Sequence, residues 1–150
     1  MRDKIVRLLF SLAVLVFAAA FEEMLPKVLG VGFPLLLSAV QFHAVRRSLP
    51  AVAAFSAAAG AAEDAISSLP LFTSVSYFLA VALAARRLDI PRAAILFSYP
   101  LYQIWLSIWV NDLYGSVFSR MIVSVPMGIA VMFAGWAVLS WMERKAAACE

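Results

Sequence analysis

The sequence has very few residues of the kinds that build metal sites and nucleophilic active sites. It contains one cysteine, Cys149, and one histidine, His43, among 150 residues. A single cysteine cannot form a disulfide or a thiolate cluster within one chain, and a lone histidine does not supply the usual imidazole metal sites or acid–base relays. The sequence also lacks the HExxH, GxSxG and P-loop patterns. We therefore predict a protein that is not an enzyme and holds no metal or cofactor.

Charged residues are scarce as well. They make up 14% of the chain, whereas 65% of the residues are hydrophobic and the mean hydropathy is +0.94. These values lie far outside the range of soluble globular domains and indicate an integral membrane protein. The formal net charge is +3, but the basic residues stand in short clusters beside apolar runs, so we expect a partner in the membrane and no nucleic acid.

Six apolar runs follow one another with short connections. A helix needs about 20 mostly apolar residues to cross the hydrocarbon layer, so six crossings use about 120 residues and leave no room for a soluble catalytic domain. The sequence predicts an all-α, single-domain bundle of six transmembrane helices, kinked where prolines interrupt them. The predicted segments are residues 5–21, 25–45, 50–67, 70–85, 93–110 and 121–142.

The first run has a second interpretation, a cleaved signal peptide. Two acids, Glu22 and Glu23, follow this run directly, and another apolar run begins a few residues later. A retained helix is therefore favoured over a cleaved segment. The acids are expected to form a solvated turn together with Lys27.

The basic residues test the six-helix prediction. When the helix ends are placed alternately on two sides of the membrane, ten of the 12 Lys and Arg residues fall on one side. Lys and Arg concentrate on the cytoplasmic side of membrane proteins with short loops. The distribution therefore predicts that both termini are cytoplasmic. The two exceptions are Lys27 and Arg120.

A stripe of small residues runs along the third predicted helix. Gly60, Asp64 and Ser67 follow one another at steps of four and three, so they share one helical face, and Ser56 and Ala53 continue it. In lipid, such a face lets a neighbouring helix approach closely. The neighbour could be another helix of this chain or the transmembrane helix of a partner.

Two acids stand near the outer end of this helix. Asp64 is a functional candidate because ionisable groups near membrane depth are costly and usually have a role. The alternative is that Asp64 and Glu63 are only the polar edge of an outer loop. Glu63 points about 100° away from Asp64 and is expected to be solvated.

The same stretch resembles the MreD family of bacterial rod-shape proteins. The resemblance rests on a glycine followed by an aspartate four residues on, a serine seven on and a proline ten on, which are Gly60, Asp64, Ser67 and Pro70. The family's short length and roughly six crossings also fit. A glycine often follows the proline by two in that family, whereas Phe72 stands there in this chain.

The resemblance implies a location and a role. The protein would be a noncatalytic, multi-pass subunit of the cell-elongation complex in the bacterial cytoplasmic membrane. Its partner would be an MreC-like single-pass membrane protein and, through it, the peptidoglycan-synthesis machinery and the MreB cytoskeleton. Lipid would surround it.

The alternative is a substrate-binding S component of an energy-coupling-factor transporter for a vitamin or similar small molecule, an architecture that the MreD family resembles. S components carry small residues four apart on the first helix, but here Ala13 is followed four on by Phe17. A ligand pocket would need convergent polar and aromatic groups. The candidates on the fifth helix are Tyr99, Tyr102, Gln103 and Trp105. Gln103 could equally be a structural clasp between helices.

His43 also allows two interpretations. It lies near the cytoplasmic end of the second predicted helix, close to Arg46 and Arg47. It could contact a lipid headgroup or a partner, or it could be an interfacial residue without a special role.

Overall fold

The computed structural model describes residues 2–29, 34–88, 91–109 and 117–148. Within these ranges all regular structure is helical, which confirms the predicted all-α fold. The elements are α1 (Arg2–Leu29), α2 (Leu35–Arg46), α3 (Leu49–Ile66), α4 (Thr73–Leu88), α5 (Pro91–Trp109) and α6 (Val117–Ala148). Some residues used in the sequence predictions lie outside the described ranges, namely Val110 at the end of the fifth segment and Cys149.

Within the described ranges, three helices are long and apolar enough to cross a membrane. Their candidate spans are Ile5–Met24, Leu49–Ile66 and Val125–Lys145, with mean hydropathies of 2.2, 1.2 and 1.7. Only 6% of the first span and 11% of the third are buried inside the protein. Helices that direct so much apolar surface outward are typical of proteins that face lipid.

The boundary between the first two helices was predicted wrongly. The helix α1 runs without a break through Glu22, Glu23 and Pro26, and α2 begins at Leu35 rather than near residue 25. Glutamate is a good helix former, and the carboxylate of Glu22 has a partner inside the protein, so the acids do not end the helix. Pro34 lies inside the second predicted segment, where a proline was expected to kink the helix, but it stands immediately before α2 as its N-cap residue.

The helix α2 is the centre of the bundle. It has 12 residues, so it is only about 18 Å long and shorter than the roughly 30 Å hydrocarbon layer. It packs against all five other helices, and every residue from Leu36 to Ala44 is buried. Because the stretch from Leu36 to Ala44 is apolar on all sides apart from three polar residues, this part of α2 is suited to a fully enclosed position.

The turn between α3 and α4 contains two residues with left-handed backbone conformation. At the end of α3, the N–H of Leu69 donates to the carbonyl of Asp64 (2.9 Å), and Ser68 has φ of 52°. This is the Schellman arrangement, in which glycine is the usual left-handed residue. Phe72 has φ of 72°. A side chain in this left-handed region carries backbone strain that glycine would not have.

Replacing Phe72 with glycine should therefore stabilise the protein. The left-handed conformation costs a non-glycine residue about 1–2 kcal/mol, whereas glycine loses about 0.5–1 kcal/mol more backbone entropy on folding, so the expected net gain is up to about 1 kcal/mol. Unfolding of the purified protein in detergent micelles, followed by circular dichroism, measures the change.

The neighbouring residue Leu71 provides the control. It is also exposed but does not have a positive φ, so Leu71→Gly relieves no strain and should lower the stability. A Phe72→Gly protein that unfolds earlier than the wild type would contradict the strain argument.

Candidate functional site: an acidic cluster at the starts of α2 and α4

Glu22, which lies on α1, caps the start of α2. Its Oε2 accepts a hydrogen bond from the backbone N–H of Leu36 at 2.7 Å. Leu36 is the second residue of α2, and the first N–H groups of a helix have no acceptor within that helix. A carboxylate at this position also interacts favourably with the positive end of the helix dipole. The expectation that Glu22 belongs to a solvated turn is therefore wrong.

Asp64 on α3 caps the start of α4 in the same way as Glu22 caps α2. Its Oδ1 accepts a hydrogen bond from the backbone N–H of Ser74 at 2.7 Å. Ser74 is the second residue of α4, the same position that Leu36 holds in α2, and the Asp64 side chain is only 2% exposed. Two acids from neighbouring helices thus cap the two shortest helices in equivalent ways.

Glu63 is buried, contrary to the expectation from the sequence. It is 6% exposed. Its Oε1 accepts hydrogen bonds from the Ser67 hydroxyl (3.1 Å) and the Tyr102 hydroxyl (3.3 Å), and its carboxyl group is a close neighbour of the Glu22 carboxyl group. The Tyr102 side chain of α5 reaches Glu63, and the Glu22 side chain of α1 is a neighbour, so the 100° separation from Asp64 directs Glu63 toward other helices and not into water.

Tyr102 connects this cluster to α4 and α5. Its hydroxyl lies 2.8 Å from the Ser74 hydroxyl as well as close to Glu63. Beside it, the indole N–H of Trp105 donates to the carbonyl of Thr73 at 2.9 Å, and the Tyr77 ring lies 5.0 Å from the Tyr102 ring between centroids. Side chains of α5 therefore satisfy polar groups on the first turn of α4.

The small-residue stripe of α3 faces α4. A Cβ atom built on Gly60 would lie 2.6 Å from the backbone nitrogen of Val75, so only glycine allows this approach. Ser56, one turn earlier, is completely buried. Of the remaining stripe and motif residues, Ala53 is half-buried, and Ser67 and Pro70 are exposed at the turn. Around Gly60 the stripe is an internal contact, and the helix of a partner cannot reach it.

The four residues proposed as a ligand pocket contact different neighbours. The Tyr99 ring lies against Gly128 of α6, whereas Tyr102 and Trp105 bond to residues of α3 and α4. Gln103 is half-buried. These contacts are of the kind that fixes one helix against another, and binding of a vitamin at these residues stays a prediction.

Buried polar residues on α2 were underestimated from the sequence. His43 is 1% exposed and stacks on Phe55, with ring centroids 4.0 Å apart and planes 8° apart. Its Nδ1 lies 2.9 Å from the Ala39 carbonyl and its Nε2 lies 3.0 Å from the Ser11 hydroxyl. His43 is therefore not an exposed interfacial residue.

Two further polar residues of α2, Ser38 and Gln41, are also buried inside the bundle. The Ser38 hydroxyl donates to the Met132 carbonyl of α6 at 3.2 Å, and the Gln41 amide donates to the Ser98 hydroxyl of α5. Three polar residues within one apolar run were the signal available in the sequence. Such residues in a membrane bundle usually bond to a neighbouring helix.

No family model, no curated protein and no solved structure matches the chain. The resemblance to the MreD family therefore rests on the residues from Gly60 to Pro70. In the structure these residues form one unit, the end of α3 and the turn into α4.

Replacing Asp64 with alanine should destabilise the protein by about 1–3 kcal/mol, because the buried N–H of Ser74 loses its acceptor. Asp64→Asn keeps an acceptor oxygen of the same reach and should lose clearly less. Thermal unfolding of both variants in the same detergent measures the difference. Equal losses in the two variants would show that the cap is not what Asp64 contributes.

Proposed function

We propose that this chain is a noncatalytic, MreD-like subunit of the bacterial cell-elongation complex, embedded in the cytoplasmic membrane by six helices. The observation that carries the proposal is that each motif residue has a structural role in the α3–α4 unit. Gly60 allows the close approach of the two helices, and Asp64 caps α4. Ser67 ends α3 and bonds to Glu63, and the carbonyl of Pro70 accepts from Thr73 (3.2 Å).

The use of the buried acids supports a noncatalytic role. Glu22 and Asp64 accept hydrogen bonds from backbone N–H groups, and Glu63 accepts from two hydroxyl groups. A carboxylate that caps a helix has to stay in place as a hydrogen-bond acceptor for as long as the protein is folded. These acids are therefore better suited to fixing the bundle than to transferring protons to a substrate.

The basic helix ends support cytoplasmic termini. The Arg86 guanidinium donates to the Arg47 carbonyl at 2.6 Å, and both Arg46 and Arg47 pair with Glu143. The last residues of α2, α4 and α6 thus meet at one end of the bundle. The α3–α4 turn lies at the other end, because α3 starts beside Arg47 and ends at Ser67.

This orientation can be tested by cysteine labelling in intact cells. In a Cys149→Ser background, a cysteine replacing exposed Ser68 in the α3–α4 turn should react with a membrane-impermeant maleimide added outside. A cysteine replacing exposed Ser48, between α2 and α3, should react only after the cytoplasmic membrane is permeabilised. Labelling of both positions from the same side would overturn the six-crossing arrangement.

An apolar groove offers a surface for a partner helix. The helices α1 and α6 both pack against α2, but their described residues do not pack against each other. The space between them is a groove of about 580 Å³. Its walls carry small and apolar side chains, among them Ala13, Phe17, Ala18, Ala39, Ala134 and Val138. Small residues allow close helix approach in lipid, so this groove suits the single transmembrane helix of an MreC-like protein.

Filling the groove should weaken the complex. Ala134→Phe places a large ring between α1 and α6, and we expect it to reduce co-purification with an MreC-like partner at least severalfold. Ala84 is also exposed but lies on α4, outside the groove, so Ala84→Phe is the matched control. Partner recovery is measured in detergent after confirming that both variants unfold at the wild-type temperature. Full recovery with the Ala134 variant would exclude this groove as the interface.

A further inference from the structure

A second groove lies between α1 and α3. It has a volume of about 540 Å³. Along most of its length the walls are apolar, with Leu8, Leu12 and Leu15 on α1 and Ala54 and Ala58 on α3. At one end it is bordered by three arginines, Arg7, Arg46 and Arg47, and by Ser48. The groove therefore changes from apolar to strongly basic along its axis.

The positive charge at this end is only partly neutralised. Arg46 pairs with Glu143 and lies over the Phe42 ring, 4.6 Å from its centroid, and the Nη2 of Arg47 is 3.4 Å from the other oxygen of Glu143. Among the described side chains that border this end or pair with it, Glu143 is the one carboxylate. Two of the three guanidinium groups, those of Arg46 and Arg47, thus pair with the same carboxylate. The Nε of Arg47 is buried and has no hydrogen-bond acceptor in the described part of the chain.

The polar side chains on the floor of the groove, His43 and Ser11, already have hydrogen-bonding neighbours within the protein. The His43 ring stacks on Phe55, and both of its nitrogens already face acceptors or donors, the Ala39 carbonyl and the Ser11 hydroxyl. The Ser11 hydroxyl also lies 3.0 Å from the Arg7 carbonyl, so its one proton is donated either to that carbonyl or to Nε2 of His43. Within the described lining, the buried donor without an acceptor is at the arginine end, and elsewhere an occupant meets mainly apolar surface.

We propose that this groove binds an anionic phospholipid of the cytoplasmic leaflet, with its phosphate at Arg7 and Arg47 and one acyl chain between α1 and α3. Guanidinium groups bind phosphate oxygens with paired, charge-assisted hydrogen bonds. Basic pockets between transmembrane helices on the cytoplasmic side bind anionic headgroups. The inference depends on the membrane orientation proposed above, but not on a partner protein.

Native mass spectrometry of the purified protein tests the proposal. The protein in nonionic detergent is mixed with phosphatidylglycerol or with phosphatidylcholine of identical acyl chains. We expect phosphatidylglycerol to be retained at least severalfold better. Arg7→Gln and Arg47→Gln should each reduce this retention about threefold to tenfold, whereas Arg87→Gln, which removes an exposed charge outside the groove, should leave it unchanged.

A second variant tests the apolar part of the groove. Ala58→Phe fills the space between α1 and α3 without changing charge, and it should reduce retention of the lipid as much as the arginine variants do. Because Arg7 and Ala58 are exposed, these variants decide the question even if Arg47→Gln unfolds. Equal retention of both lipids, an equal loss in Arg87→Gln, or displacement by inorganic phosphate would overturn the proposal. A failure to co-purify the partner would leave these results unaffected and would count only against the proposed complex.

Discussion

The bundle depends on satisfying the first backbone N–H groups of α2 and α4 without water. Both helices begin at the same end of an apolar protein, where unpaired N–H groups would be costly. Glu22 reaches the N–H of Leu36, and Asp64 reaches that of Ser74, each at 2.7 Å. Because each acid comes from a neighbouring helix, the same hydrogen bond that completes one helix also fixes its position against another. The two acids, Glu22 and Asp64, thus fix the positions of the helices relative to one another.

Hydrogen bonds from the buried polar residues of α2 fix the positions of further helices. The central helix α2 is short and enclosed, so its polar side chains also need partners on other helices. Ser38 bonds to α6, Gln41 to α5 and His43 to α1. Hydrogen bonds between membrane helices contribute about 1 kcal/mol or less each, but three of them in three directions specify a single arrangement of the helices around α2. The close contact at Gly60 then fixes α4 against α3.

The sequence predicted the helical class and the close contact at Gly60, because apolar runs and small-residue spacing are local patterns. It failed where the outcome depended on which helix would supply an acceptor. Glu22 and Glu63 were interpreted as solvated, since an acid at the end of an apolar run has the same pattern whether it faces water or a neighbouring helix. The start of α2 was misplaced for the same reason, because the end of α1 was inferred from its acids. The grooves depend on how closely each pair of helices packs, and no local pattern carries that information.

The length of α1 has a consequence for the surrounding bilayer. Its exposed charged residues Arg7 and Glu23 are 16 positions apart on one helix, which corresponds to about 24 Å along the axis. The hydrocarbon layer is about 30 Å thick, so even an upright α1 leaves a mismatch of several ångströms, which thinning of the bilayer beside α1 would remove. Thinning costs a fraction of a kcal/mol per ångström. A protein with this hydrophobic mismatch would collect in thinner regions of its membrane and would draw short-chain lipids around α1.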